Sequence, residues 1–228
     1  GGALLVLGYP GAGVKAGFEV GKIINGDYNI IGSFASNHGS WLKTVELLNS
    51  GKLDLVFANG HVNPYIQDQD PQFTYKQPNQ LLLQDDKGNY AEAKGVFPAD
   101  DVRVHRGLCI GDVNNDGKLD ILFTAANDRP TLLLNQSETG NWIMLKLTDK
   151  HNCCTPVGTR CTATINGKKK LRVLLGGGSY GGDSDSRIHF GLGTAKQIDT
   201  LEITWLSGKK QTLSNVQANQ ILAIKEPS

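Results

Sequence analysis

The chain has 228 residues, 39% of them hydrophobic and 20% charged, with a formal charge of +1. That length holds one large or two modest domains, and the hydrophobic share suits a buried core rather than disorder. A net charge this small gives no field to attract nucleic acid or an anionic membrane, and no apolar run reaches the ~18–20 residues of a bilayer span.

Residues 1–35 open GGALLVLGYP, with neither a starting Met nor a basic leader region, and read as the beginning of a processed or truncated piece. They match no recognisable pattern. The stretch SWLKTVELLN at 40–49 has some helical spacing. After it the chain reads as short strands: LDLVFA, QLLLQ, LDILFTAA, TLLLN, WIMLKL, TATI, LRVLL, RIHFGL, LEITWL and ILAIKE. Each is rich in Ile, Leu, Val or Phe and bounded by Gly, Asn, Asp or Pro, as strands between turns are. The 28 glycines are spread along the chain, which suits many tight turns. The expected class is all-β.

An internal repeat refines this. GKLDLVFANGH at 51–61 parallels GKLDILFTAAND at 117–128, and PNQLLLQDDKGNY at 78–90 parallels RPTLLLNQSETGNW at 129–142. Both units run turn, aspartate, apolar strand, loop, triple-leucine strand. A unit that cannot bury its own face must stack on the next, as propeller blades do. The pattern stops near residue 141, so the expected division is repeats over 1–140 and a small β-sandwich or barrel-like domain over 141–228.

DVNNDGKLDIL resembles the calcium-loop core of FG-GAP (VCBS-type) propeller repeats, and NGH after LDLVFA resembles their blade ending. From Trp142 the chain resembles the ASPIC/UnbV domain that follows such repeats in secreted proteins related to cartilage acidic protein. The matching pieces are VGTR at 157–160, GGGSY at 176–180, HFGLG at 189–193, IDTLEITWLSG at 198–208, Asn215-Val216, Asn219-Gln220 and Glu226. The resemblance implies secretion or a cell-surface location, and adhesion-like or matrix-like roles without catalysis.

In the loop 112–120, Asp112, Asn114, Asp116 and Asp120 offer side-chain oxygens at positions one, three, five and nine, and Lys118 offers its carbonyl. Calcium takes ~6–8 oxygen ligands from such flexible loops. An EF-hand is excluded, because Phe123 stands where a bidentate Glu would close the site. An Asx-rich turn without metal is the competing reading. In the first copy, Leu48 and Ser50 replace the third and fifth donors. One structural calcium is therefore expected, not two.

Other candidates are weaker. The loop 62–76 carries Tyr65, Asp68, Asp70, Phe73 and Tyr75, a mixture that suits a glycan- or partner-binding loop, or a lid over the sheet. Cys161 could pair with Cys153 or Cys154, while Cys109 reads as a buried free thiol; with no CxxC pair, structural zinc is not expected. Asn135-Gln136-Ser137 fits an N-glycosylation acceptor. The glycines at 176–182 read as a strand junction or bulge rather than a phosphate loop, and the acidic run 183–186 as solvated. Asn166-Gly167 reads as a hairpin turn beside a solvated Lys168-Lys169-Lys170 tip. His189 reads as structural.

Three functions follow. The first is a calcium-stabilised extracellular module assembling with copies of itself or other extracellular proteins through β edges. The second is a carbohydrate-binding module, and the third a polysaccharide- or lipid-acting enzyme, since such propellers also occur in lyases and phospholipases. Sequence names no catalytic residue.

Overall fold

The computed structural model describes residues 4–6, 30–32, 40–45, 54–85, 87 and 89–228, with burial from residue 55 onward. The expected empty loop at 46–53 and most of 1–35 lie outside the described residues. The first half contains β1 (Leu4–Val6), β2 (Ile30–Gly32), β3 (Ser40–Val45) and β4 (Asp54–Asn59), then a four-residue helix, α1 (Ile66–Gln69). It continues with β5 (Gln77–Pro78), β6 (Gln80–Gln84), β7 (Tyr90–Glu92), β8 (Val102–Arg103), β9 (His105–Gly111), β10 (Asp120–Ala125) and β11 (Asp128–Leu133). Strands β1-β2-β3-β4-β6-β7 form one sheet and β11-β10-β9 a second, with β5 and β8 a separate pair. The fold is all-β.

Over Ser40–Val45 the helical spacing gives way to a strand. β3 pairs with β4 along its full length, from Ser40 opposite Asn59 to Val45 opposite Asp54. A short segment gains too few internal hydrogen bonds to nucleate a helix, whereas a neighbouring strand supplies a complete ladder.

The sequence repeat is also a register repeat. Leu55, Val56 and Phe57 face Leu82, Leu81 and Gln80. In the second copy Ile121, Leu122 and Phe123 face Leu133, Leu132 and Thr131, which are the aligned positions. The copies nevertheless bury opposite faces. Val56, Ala58 and Leu81 from the first meet Leu108, Ile110, Ile121 and Phe123 from the second in one apolar cluster. One repeat thus offers the front of its sheet to the back of the next, the packing that lets a stack continue.

A polar seam reinforces that contact. Arg106 donates to the carbonyls of Gly60 (2.7 Å) and His61 (2.9 Å), tying the Asn59-Gly60-His61 corner to the second copy. A Cβ at Gly60 would stand 2.7 Å from the Val104 Cα, so only glycine permits the approach.

The second half contains β12 (Asn141–Thr148), β13 (Arg160–Ile165), β14 (Lys168–Val173), β15 (Gly178–Ser179), β16 (Gly182–Asp183), β17 (Ile188–Gly193), β18 (Gln197–Thr204), β19 (Lys210–Gln217) and β20 (Gln220–Lys225). Sheets β17-β12-β20 and β14-β13-β18-β19 enclose one core in which Ile143, Leu145, Cys161, Phe190, Ile198, Leu201 and Trp205 are buried. Of the two expected shapes, the two-sheet sandwich is the one observed. Asn166 and Gly167, at φ +49° and +75°, make the two-residue turn between β13 and β14. Lys170 does not simply extend into solvent, because its Nζ donates to the Gly191 carbonyl at 3.0 Å.

The β15–β16 hairpin, built on the expected glycine-rich junction, reaches back to the first half. Ser179 and Ser184 accept from the backbone N–H groups of Leu108 (3.0 Å) and Ile110 (3.1 Å), and Asp185 N–H donates to the Ile110 carbonyl (2.8 Å). This covers the edge of β9, which would otherwise present unpaired donors.

Candidate metal centre

The loop 112–120 joins β9 to β10 and is organised around two buried aspartates. Asp112 is 2% exposed and Asp120 1%. Asp112 accepts from the backbone N–H groups of Asp116 (3.0 Å) and Gly117 (2.8 Å), which curls the chain back on its first carboxylate. Asp120 accepts from Val113 N–H (2.9 Å) and from Asn135 N–H (2.8 Å), closing the loop and fixing the chain after β11. Asp116 is exposed, accepts from Lys118 N–H at 2.9 Å and holds the Asn114 amide at 3.0 Å. Asn115 and Gly117 take positive φ values, +60° and +86°, as the curl requires.

The second half grips this loop. Arg187 donates to the Asp112 carbonyl and the Asn115 side-chain oxygen, each at 2.6 Å, and its own position is held by Asp185. Its guanidinium pKa is raised, first by the hydrogen bond it donates to Asp185. His189 Nε2 lies 3.0 Å from the Gly117 carbonyl, and burial lowers its pKa, favouring the neutral ring. Trp142 covers Gly117. His189 thus ties β17 to the loop through Gly117. Arg187 and Trp142 were not legible as part of this site, because their contacts span 25 residues or more of chain.

Chemically, the loop is an all-oxygen donor set suited to a hard cation. Asp112, Asn114, Asp116, Asp120 and the Lys118 carbonyl are the groups that would hold it. Among the described residues no cationic side chain pairs with the carboxylates of Asp112, Asp116 or Asp120. Arg187 hydrogen-bonds Asp112 at the backbone carbonyl, not the carboxylate, while the two opposite charges attract. An open cleft of about 210 Å³ borders the loop, lined in part by Asp112, Asp120, Asp183 and Asp185. The run 183–186 is not merely solvated: Asp183 accepts from Gly177 N–H (2.8 Å), and Asp185 binds Arg187.

The remaining candidates resolve differently. Tyr65 is 68% exposed beside α1 while Phe73 and Tyr75 are half-buried, and Asp68 is exposed and Asp70 half-buried. The loop's ends are tied by His61 N–H to the Tyr75 carbonyl at 2.9 Å. Asn135 is half-buried, with its side-chain oxygen accepting from Ser137 N–H at 3.0 Å.

The expected disulfide is not formed, and all four cysteines are free. Cys161 points from β13 into the sandwich core, fully buried, while Cys153 and Cys154 are exposed on the turn after β12. Cys109 is half-buried rather than buried. The Cys153 thiol is pushed up to about 11, first by its hydrogen bond with Cys154. Among the described residues, it is Asp149, Cys153 and Cys154 that bring three ligand atoms within 4.8 Å of one another.

Comparison with known proteins agrees with the second half of this picture. Residues 150–228 match the family described as ASPIC and UnbV. The chain is 28% identical over 124 residues to Cartilage acidic protein 1 of Xenopus tropicalis, covering 54% of this chain and 19% of that protein. It is 28% identical over 113 residues to Cartilage acidic protein 1 of Homo sapiens, covering 49% and 17%. The chain therefore spans less than a fifth of the length of these relatives.

Proposed function

We propose that the chain is a non-catalytic extracellular structural or interaction module whose repeats are pinned by one calcium ion in the loop 112–120. The observation that carries this is three aspartates within nine residues, two of them buried, with no cationic side chain on their carboxylates among the described residues. Ionised carboxylates drawn around one point would repel one another, and a divalent cation there would supply the balancing charge. The likeness to Cartilage acidic protein 1 supports an extracellular setting. The front-to-back packing of the two copies supports FG-GAP-type propeller repeats over 1–140, followed by a separate domain over 141–228. Its partners would be further copies or other extracellular proteins at remaining β edges.

Calcium here would act on stability. A ligand that binds only the folded state adds about 2.7 kcal/mol at a hundred times its dissociation constant. Thermal melting with calcium, magnesium or EDTA is the test. Calcium should raise the melting temperature more than magnesium, and Asp116→Ala should abolish the difference, since Asp116 is exposed and its loss spares the core. No calcium shift in the parent chain would end this reading.

A second reading rests on Tyr65, which presents an exposed ring at a loop otherwise rich in amides and carboxylates. Such rings stack on sugar faces. Glycan-array binding lost in Tyr65→Ala would favour a carbohydrate-binding module, and a clean null would remove it.

A further inference from the structure

We infer that the turn 149–154 is a binding site for one thiophilic divalent cation of the zinc class, separate from the calcium loop and independent of it. The turn follows β12 directly and is closed by its own backbone. Asp149 N–H donates to the Cys154 carbonyl (3.1 Å), and Asn152 N–H, at a residue with φ +60°, donates to the Asp149 carbonyl (3.0 Å). Asp149 Oδ1 accepts from the N–H groups of Cys153 (2.9 Å) and Cys154 (3.4 Å). That fixes the carboxylate with Oδ2 turned to the thiols.

The resulting triangle has the dimensions of a coordination face. Cys153 Sγ is 3.4 Å from Cys154 Sγ and 3.3 Å from Asp149 Oδ2, and one ligand atom from each residue lies within 4.8 Å of the others. Tetrahedral zinc, with bonds of about 2.3 Å to sulfur and about 2.0 Å to oxygen, sets S···S and S···O edges near ~3.8 and ~3.5 Å. The two Cys153 edges need only a small outward shift, and the Cys154–Asp149 edge, within 4.8 Å, settles at the same ~3.5 Å. A vicinal disulfide requires far more, since its sulfurs must close to about 2.05 Å across adjacent residues.

Donor chemistry selects the ion. Two thiolates favour a soft or borderline metal and disfavour calcium or magnesium. Both cysteines are exposed, so the ion has a path in. The fourth position stays open to water or to His151, which is exposed on the same turn. Bound there, the ion would pin the connection from β12 to β13. The pattern Asp-Lys-His-Asn-Cys-Cys carries the signal, but it is not a CxxC pair, because the sulfurs are adjacent and the oxygen precedes them by four and five residues.

The test is titration of the reduced, anaerobic 228-residue chain with cadmium, reading the ultraviolet thiolate-to-metal charge-transfer band. One cadmium per chain is expected, displaceable by zinc. Cys153→Ser and Cys154→Ser should each collapse the band, and Asp149→Asn should weaken binding by at least about tenfold. Cys109→Ser should leave it unchanged. All three ligand variants lie on a surface turn, so folding is retained, and far-ultraviolet circular dichroism checks this. Absence of the band in the parent chain, or an unaltered band in Cys153→Ser, would overturn the assignment.

Discussion

Gly117 packs so closely on the indole of Trp142 that a Cβ at position 117 would come within 1.9 Å of Cε2 and 2.0 Å of Nε1. The backbone there has φ +86°, which a side chain resists independently. The centre of the loop 112–120 is therefore also a point of contact between the two halves of the chain.

Gly117→Ala should cost about 2–4 kcal/mol in urea unfolding, from left-handed backbone strain together with overpacking. Trp142→Ala should relieve part of it. The double variant should then lose less than the sum of the single losses, by about 1 kcal/mol or more. Strict additivity would show that the contact does not form in solution.

Ser179 and Ser184 cap the β9 edge, so their effect should be local. In Ser179→Ala/Ser184→Ala, hydrogen exchange at the Leu108 and Ile110 amides should quicken, by about tenfold for each ~1.4 kcal/mol of protection lost. The Cys109 amide, on the side of β9 facing β10, should be unaffected. Equal acceleration at all three amides would point to general destabilisation instead.

His105 is fully buried, with Asp101 3.5 Å from its Nε2, Arg103 nearby and the Phe123 ring against it. Burial lowers its pKa, outweighing the raising effect of Asp101. The unfolded chain, with an ordinary histidine near pH ~6.5, then takes up the proton first as pH falls. Stability from this group is complete above that pH and is lost below it, by up to about 1.4 kcal/mol per pH unit until the folded-state pKa is reached. Urea midpoints at pH 7.5, 6.5 and 5.5 should fall more steeply for the parent than for His105→Gln. Parallel curves would remove His105 from the account.

Burial pushes the Cys161 thiol up to about 12. Alkylation of the native chain without reductant should spare Cys161, and denaturation without reductant should expose it fully. A Cys161 that stays unlabelled after denaturation would mean that it is held in a disulfide after all.

Much of this architecture is local and therefore readable. Short apolar runs ending in Gly, Asn or Asp announce strands, and Asn166-Gly167 announces its hairpin, because turn chemistry depends on neighbouring φ values alone. The repeat aligns within the sequence, and its register matches although the first copy carries a much longer connection between its paired strands than the second. The helical spacing that begins at Ser40 is a weak preference, and over Ser40–Val45 a partner strand overrides it. The cysteines misled: their spacing is compatible with a bridge, and only the inward direction of Cys161 on β13 excludes it from this structure.

The sequence by itself determined the all-β class, the two-copy repeat and the oxygen-rich loop with Asp112, Asn114, Asp116 and Asp120. Each follows from residues a few positions apart. Tertiary structure alone decided that the copies bury opposite faces, that Trp142, Arg187 and His189 close over the loop, and that Asp149 joins two adjacent thiols. The first two depend on groups brought together across long stretches of chain, and the last on the backbone hydrogen bonds that close the turn 149–154.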